Sequence, residues 1–404
     1  MKRILQLTLG IVTAIGGFLE VGSIATAAQG GALFDFRLLW AIALGTIALI
    51  VLVEMAGRFA AVSGHTLTDA MRERFGMRFF AIPLVVVTVV SFLVLAAEVG
   101  GVSLALQMAT GISYRWWAIP VALAAWALLW MGTFGLVENG ASSLGLVTLA
   151  FFVAAVRLHP DTSALAHGFL PTKPPEDVAK YLYVAVSILG ASISPYLYLF
   201  YSAGAVEDKW TKEDLPMNRI TAWSGMLFGG ALSAAVLVCA AMVLAPRHIQ
   251  VDAYQQVALI LSNPLGRWGF ILFVLSLGFA CFGATAEIAL ATSYVLAQGL
   301  GWEWSENAKP SENARFCVSY SVLLLLAAIP IAMGLDPLGL TNFSMTLTAA
   351  SLPVTVIPML LLMNDQHYLG EDRNTLLGNV SLGLVSLLSV VLALVAFPLQ
   401  LMGG

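Results

Sequence analysis

Long apolar runs constrain this chain more than any other feature. "LWAIALGTIALIVLV" (39–53) and "ILFVLSLGFACFGATA" (271–286) are two of a series repeated to the end of the sequence. Each extends to about the 20 residues that cross a hydrocarbon core as a helix. A transmembrane β-barrel would instead alternate apolar and polar positions in segments of about ten. Charged residues make up 10% of the 404, against about 25% in soluble domains, so the polar shell of a soluble protein is missing. The chain is therefore expected to be an all-α polytopic membrane protein whose first partner is the lipid bilayer.

Other classes are disfavoured. A net charge of −4 is too small to imply nucleic acid. Cys239, Cys281 and Cys317 lie in apolar stretches without CxxC spacing and read as core residues. There is no phosphate loop, His/Cys metal cluster or nucleophile elbow, so neither an enzyme nor a cofactor is expected, and no obligate protein partner is evident. The N-terminal "MKRILQLTLGIVTAIGGF" has no small-residue cleavage site and its apolar run continues, which reads as a first span and not a signal peptide.

Eleven spans are expected, at 4–29, 38–60, 79–109, 115–136, 139–157, 179–204, 217–245, 266–298, 315–333, 338–363 and 375–401. The longest polar connection, 159–176, is rich in proline and is expected to be irregular. With the N-terminus cytoplasmic, most of the 19 Lys and Arg residues fall inside, among them Lys2, Arg3, Arg58, Arg72, Arg74, Arg78, Lys209, Lys212 and Arg219. The positive-inside rule then places the C-terminus outside, in what is expected to be a bacterial inner membrane.

Spans 1 and 6 each carry a break. Placing Gly16 on Gly190 sets "IGGFLEVGS" over "LGASISPYL", with Glu20 on Ser194 and Val21 on Pro195. "LAAEVGG" in span 3 likewise matches "ATAEIAL" in span 8, with Glu98 over Glu287. Each pair is five spans apart, and an odd number of spans inverts the second copy. This is the layout of inverted-repeat transporters, whose substrate site forms where two discontinuous helices break near the midplane. The expected division is 1–157 as the first repeat, 158–178 as a loop, 179–363 as the second repeat and 364–404 as helix 11. Gly16, Gly17 and Gly22 favour unwinding in span 1, and Pro195 removes an N–H in span 6. Glu20 at such a break can face a wetted cavity, and an ionisable residue within the membrane points to function first. The plainer reading is a structural carboxylate bonded to a neighbouring helix. Ser23, Ser194 and Tyr196 line the same break, although single Ser and Tyr residues in membrane helices are often interhelical contacts.

Several stretches resemble the NRAMP family of divalent-metal transporters: "EMAGRFAAVSGHTLTDAMRERF" (54–75), "AEVGGVSLAL" (97–106), "ATAAQGGALFDFRLLW" (25–40) and "SLPVTVIPMLLLMND" (351–365). The resemblance implies the leucine-transporter fold, a five-plus-five inverted repeat with broken helices 1 and 6 plus an eleventh helix. The site motifs depart from the family pattern. Where the family carries Asp-Pro-Gly-Asn, this chain has Glu20-Val21-Gly22-Ser23. Where it carries Ala-x-x-Met-Pro-His, this chain runs from Ala191 to Ser194-Pro195-Tyr196. The family's second His in helix 6 corresponds to Tyr201, its proton-accepting Asp to Leu95 and its helix-10 Gln to Met345. Its partner Glu is kept as Glu98, and Glu287 is additional.

The implied metal set, Glu20, Ser23 and Ser194 with the Ala191 carbonyl and the Tyr196 phenol, contains only oxygen. Oxygen donors suit Mg²⁺, Ca²⁺ or Mn²⁺. The expected function is alternating-access transport of a hard divalent cation. Proton coupling is absent or rerouted through Glu98 and Glu287, with Tyr201 a poor proton carrier. Glu287 reads either as a helix-facing acid with Ser or Thr neighbours or as part of a second ion site between spans 1 and 8. A small organic cation held by Glu20 and aromatic rings is the alternative substrate, and a non-transporting scaffold or sensor is the third reading. Glu54 and Arg58, four residues apart, read as a structural ion pair.

Overall fold

The structure is a computed structural model that describes residues 20–131, 146–172, 177–306 and 310–403. Gly16, Gly17 and the start of span 1, the junction between spans 4 and 5, and Lys173 to Glu176 lie outside the described residues. Helices are the only regular structure among the described residues, as expected where lipid cannot satisfy an open sheet edge.

In chain order the helices begin with α1 (Val21–Phe34), α2 (Leu39–Ser63), α3 (Leu67–Phe75), α4 (Met77–Thr110), α5 (Tyr114–Trp130), α6 (Ala150–Arg157) and α7 (Thr162–Gly168). The second half comprises α8 (Val178–Ser192), α9 (Pro195–Glu207), α10 (Leu215–Val243), α11 (Tyr254–Val257), α12 (Leu259–Leu300), α13 (Ala314–Ala332), α14 (Pro337–Ser351), α15 (Pro353–Leu362), α16 (Gln366–Leu369) and α17 (Leu376–Gly403). Among the described residues, with α8–α9 and α14–α15 each taken as one run, eight helices are long and apolar enough to cross a membrane. The described parts of α1, α5 and α6 occupy the other three expected spans.

Three expectations need correction. The 159–176 connection is not wholly irregular, because Asp161 accepts the Ser163 N–H and starts α7. The tenth span, one run from Pro337 to Leu362, is interrupted in its hydrogen bonding, since Pro353 has no N–H to continue α14 although Leu352 keeps helical angles (φ −51°, ψ −43°). The first span runs on to Phe34 instead of ending near 29. By contrast, α12 turns at Gly266 (φ 62°, ψ −145°), so its spanning part starts where the eighth span was expected.

Burial orders the helices from centre to lipid. The broken α8–α9 run has 94% of its apolar window buried, and α17 has 33%, so the break lies centrally and α17 is peripheral. Ile82, Val85 and Val89 project from one face of α4 and are exposed. Their spacing of three and four residues marks a single helical stripe, here turned toward lipid. The centre is α1, α8 and α9, flanked by α4, α10, α12 and α14.

One end of the bundle is tied by polar contacts. Thr66 donates to Gln298 Oε1 (3.0 Å), Arg72 to the Gln298 carbonyl (2.6 Å) and the Leu67 N–H to Ser202 Oγ (3.2 Å). Arg74 pairs with Asp365 and Lys212 with Asp372, each at 2.5 Å. Arg58 donates to Asn374 as well as pairing with Glu54 at 3.9 Å.

Candidate cation site

The starts of α1 and α9 have the same local form, and α9 is separated from α8 by a break at Ile193–Ser194. Glu20 (φ −100°, ψ 173°) is the extended residue before α1, and Ser194 (φ −92°, ψ 123°) is the extended residue before α9. Val21 and Pro195 follow as the first helical residues. The repeat alignment that set Glu20 on Ser194 and Val21 on Pro195 is therefore matched residue for residue in the backbone. Pro195 also explains a free acceptor. It stands four residues after Ala191, so the helical partner of the Ala191 carbonyl has no N–H to give. Ile193 takes up the cap on Leu189 and leaves Ala191 in the last turn of α8.

The side chains converge from four helices. Glu20 is fully buried, and the Tyr196 hydroxyl donates to its Oε2. Its Oε1 has no hydrogen-bond partner among the described residues. Glu98 on α4, also fully buried, accepts the Val21 N–H at 2.9 Å through Oε1, and its Oε2 is likewise without a partner. Thus the Glu98 carboxylate satisfies one of the exposed N–H groups at the start of α1 and faces the positive end of that helix dipole. The Cys281 thiol of α12 lies alongside Glu98. Glu287, also on α12, is 7% exposed and near enough to Tyr196 to act on it electrostatically. Ser194 Oγ is buried without a partner, and Ser23, one turn into α1, is buried.

Neither Glu20 nor Glu98 has a Lys or Arg salt-bridge partner among the described residues. Two buried carboxylates without a balancing cation cost far more than ordinary buried polar groups. The arrangement calls for protons or a bound cation. No group of three or more His, Cys, Asp and Glu side chains poised to hold a metal occurs among the described residues. A cation here would rely on hydroxyls, carbonyls and water beside the carboxylates.

The predicted residues do not all meet. Glu20, Tyr196 and Glu98 are linked around the start of α1, and Ser194 and Pro195 form the break before α9, whereas Gly22, expected to favour unwinding, is helical in the first turn of α1. Tyr201 belongs elsewhere: its hydroxyl donates to Asn218 Oδ1 (3.1 Å), and Asn218 in turn donates to the Glu54 carbonyl (2.8 Å). One neighbour of the site, Tyr254, escaped sequence reasoning, and a second, Met345, reads there only as a departure from the family's helix-10 Gln. Tyr254 on α11 donates to the Val21 carbonyl and faces Thr341 Oγ1, each at 3.3 Å, covering the start of α1. Met345 on α14 presses its side chain onto Gly22. No local motif marks either one, because each comes to the break from a separate helix.

The sequence matches the family description "Natural resistance-associated macrophage protein-like" over residues 10–397. The chain belongs to the Nramp family. It is 24% identical over 384 residues to the divalent metal cation transporter MntH of Deinococcus radiodurans, covering 92% of this chain and 84% of that protein. To MntH of Listeria welshimeri it is 26% identical over 383 residues, covering 90% and 83%. The crystal structure of the Eremococcus coleocola manganese transporter superposes with a TM-score of 0.82 at 19% identity, over 98% of this chain and 86% of that one. MhsT in complex with L-phenylalanine superposes at 0.62 with 17% identity, over 97% and 98%. These structures establish that this Nramp chain has the leucine-transporter fold.

Proposed function

We propose that this Nramp protein carries a divalent cation through a bacterial inner membrane by alternating access, with Glu20 as the anionic ligand. The N-terminus is placed in the cytoplasm and the C-terminus outside by the distribution of Lys and Arg. One observation carries the reading: two fully buried carboxylates, without a Lys or Arg partner among the described residues, meet where α1 begins beside the broken α8–α9 run. Tyr196 and Ser194 supply further oxygen there, and Pro195 leaves the Ala191 carbonyl available. The MntH relatives are named for divalent metal transport, which agrees with this chemistry. Oxygen ligands favour hard ions such as Mg²⁺ or Mn²⁺, and a single direct carboxylate leaves Mg²⁺ some of its waters.

The test is uptake of Mg²⁺, Mn²⁺ and Ca²⁺ into proteoliposomes, alongside the shift in melting temperature that each ion produces. Glu20→Gln should abolish uptake and shift. If none of the ions acts on the unmodified protein, the proposal fails. Coupled protons, if carried, are assigned to Glu98 and Glu287. Glu98→Gln and Glu287→Gln should then flatten the dependence of uptake on a pH gradient, and an unchanged profile in both variants would remove that role.

A further inference from the structure

Two sulfur atoms come near the oxygen-lined site, the Cys281 thiol beside Glu98 and the Met345 thioether beside Gly22. Met345 is fully buried. A Cβ placed on Gly22 would sit 2.5 Å from Met345 Sδ and 2.6 Å from Cε. The thioether end of the side chain, not its stem, therefore reaches the first turn of α1, between Glu20 and Ser23. Its backbone is held as closely on the other side: a Cβ on Gly190 would lie 2.1 Å from the Met345 carbonyl oxygen. Gly190 immediately precedes Ala191, so α14 passes between the two broken helices with its sulfur turned toward α1.

The hydroxyls of α14 spend their protons within their own helix. Thr341, Ser344, Thr346 and Thr348 donate to the carbonyls of Pro337, Thr341, Asn342 and Ser344 in their own helix. The Met345 sulfur is the donor that this helix presents at the break. A thioether is uncharged at every accessible pH, long and flexible enough to adjust, and polarizable. It adds little for Mg²⁺ or Ca²⁺ and contributes for softer divalent ions.

We propose that Met345 is a specificity-determining ligand that extends an otherwise oxygen-lined site to thiophilic divalent cations. The proposal rests on the cation-site reading above. Its test uses the full chain in proteoliposomes with Cd²⁺ and Mg²⁺ as probes. Met345→Leu, similar in volume and lacking sulfur, should lower Cd²⁺ uptake relative to Mg²⁺ about tenfold, the effect of 1.4 kcal/mol, with Mg²⁺ uptake kept. X-ray absorption at the cadmium edge should show a sulfur neighbour in the unmodified protein and in Cys281→Ser, whose thiol also lies nearby. Because that spectrum needs no Met345 variant, poor folding of Met345→Leu leaves the proposal testable. An equal fall for both ions shows a packing role and overturns it. So does a cadmium spectrum without sulfur, or a sulfur signal that vanishes in Cys281→Ser. If no divalent ion is taken up by the unmodified protein, the site reading itself is what fails.

Discussion

Glu20 and Gly22 are two residues apart, and the fold asks opposite things of them. Glu20 brings charge into a buried break, whereas Gly22 leaves room for Met345. Gly190 also faces Met345, but it meets the backbone carbonyl and not the flexible tip. The two glycines should respond differently to alanine. In Gly22→Ala the thioether can swing aside. In Gly190→Ala a helix must move, and overpacking of this kind costs about 1–3 kcal/mol. Thermal melting in detergent should therefore show a larger loss for Gly190→Ala than for Gly22→Ala. Tyr196→Phe removes a hydroxyl that donates to Glu20. It should destabilise by about 1–3 kcal/mol, the range for a buried acceptor losing its donor, unless a divalent ion is added to take the vacated place.

At the scale of elements, the break between α8 and α9 was legible because proline acts through the local backbone. Pro195 removes an N–H wherever its helix packs, and the extended Ser194 before it follows. Pro195→Ala should leave the protein folded and lower cation uptake several-fold, by returning a competing N–H near the Ala191 carbonyl. Unaltered uptake in Pro195→Ala would show that this carbonyl is not a ligand. The interruption at Pro353 was harder to foresee, since membrane helices accommodate proline when neighbours satisfy the freed carbonyl. The α7 helix carried a readable sign, Asp161 capping the chain ahead of it, that the surrounding prolines obscured.

At the scale of the whole molecule, the polar ties at one end join α2, α3, α9, α12 and the segment after α15. Arg74 donates to Asp365 at 2.5 Å, and this contact holds the Asp365 carboxyl below its ordinary value near 3.8. A depressed folded value means the stabilisation is present above the unfolded value and is lost as pH falls through the lower folded one. Melting temperature should therefore drop on acidification below about pH 4, and less steeply in Asp365→Asn. The pair is partly solvated, so its contribution is at most about 1 kcal/mol.

What the sequence determined by itself was the class of fold, the run of spans, the break in span 6 and the acids near it. Apolar length, proline chemistry and the cost of charge in lipid act locally, and they can be read without knowing any neighbour. Only the tertiary structure decided which groups meet. Glu98 bonds the Val21 N–H across 77 residues, and Tyr254 reaches the Val21 carbonyl across 233. Met345 touches Gly22 from α14, while Tyr201 turns away to Asn218. Which face a membrane helix turns inward depends on how its side chains pack against several others at once, and an apolar run that is buried on most sides carries too weak a periodic signal to reveal it.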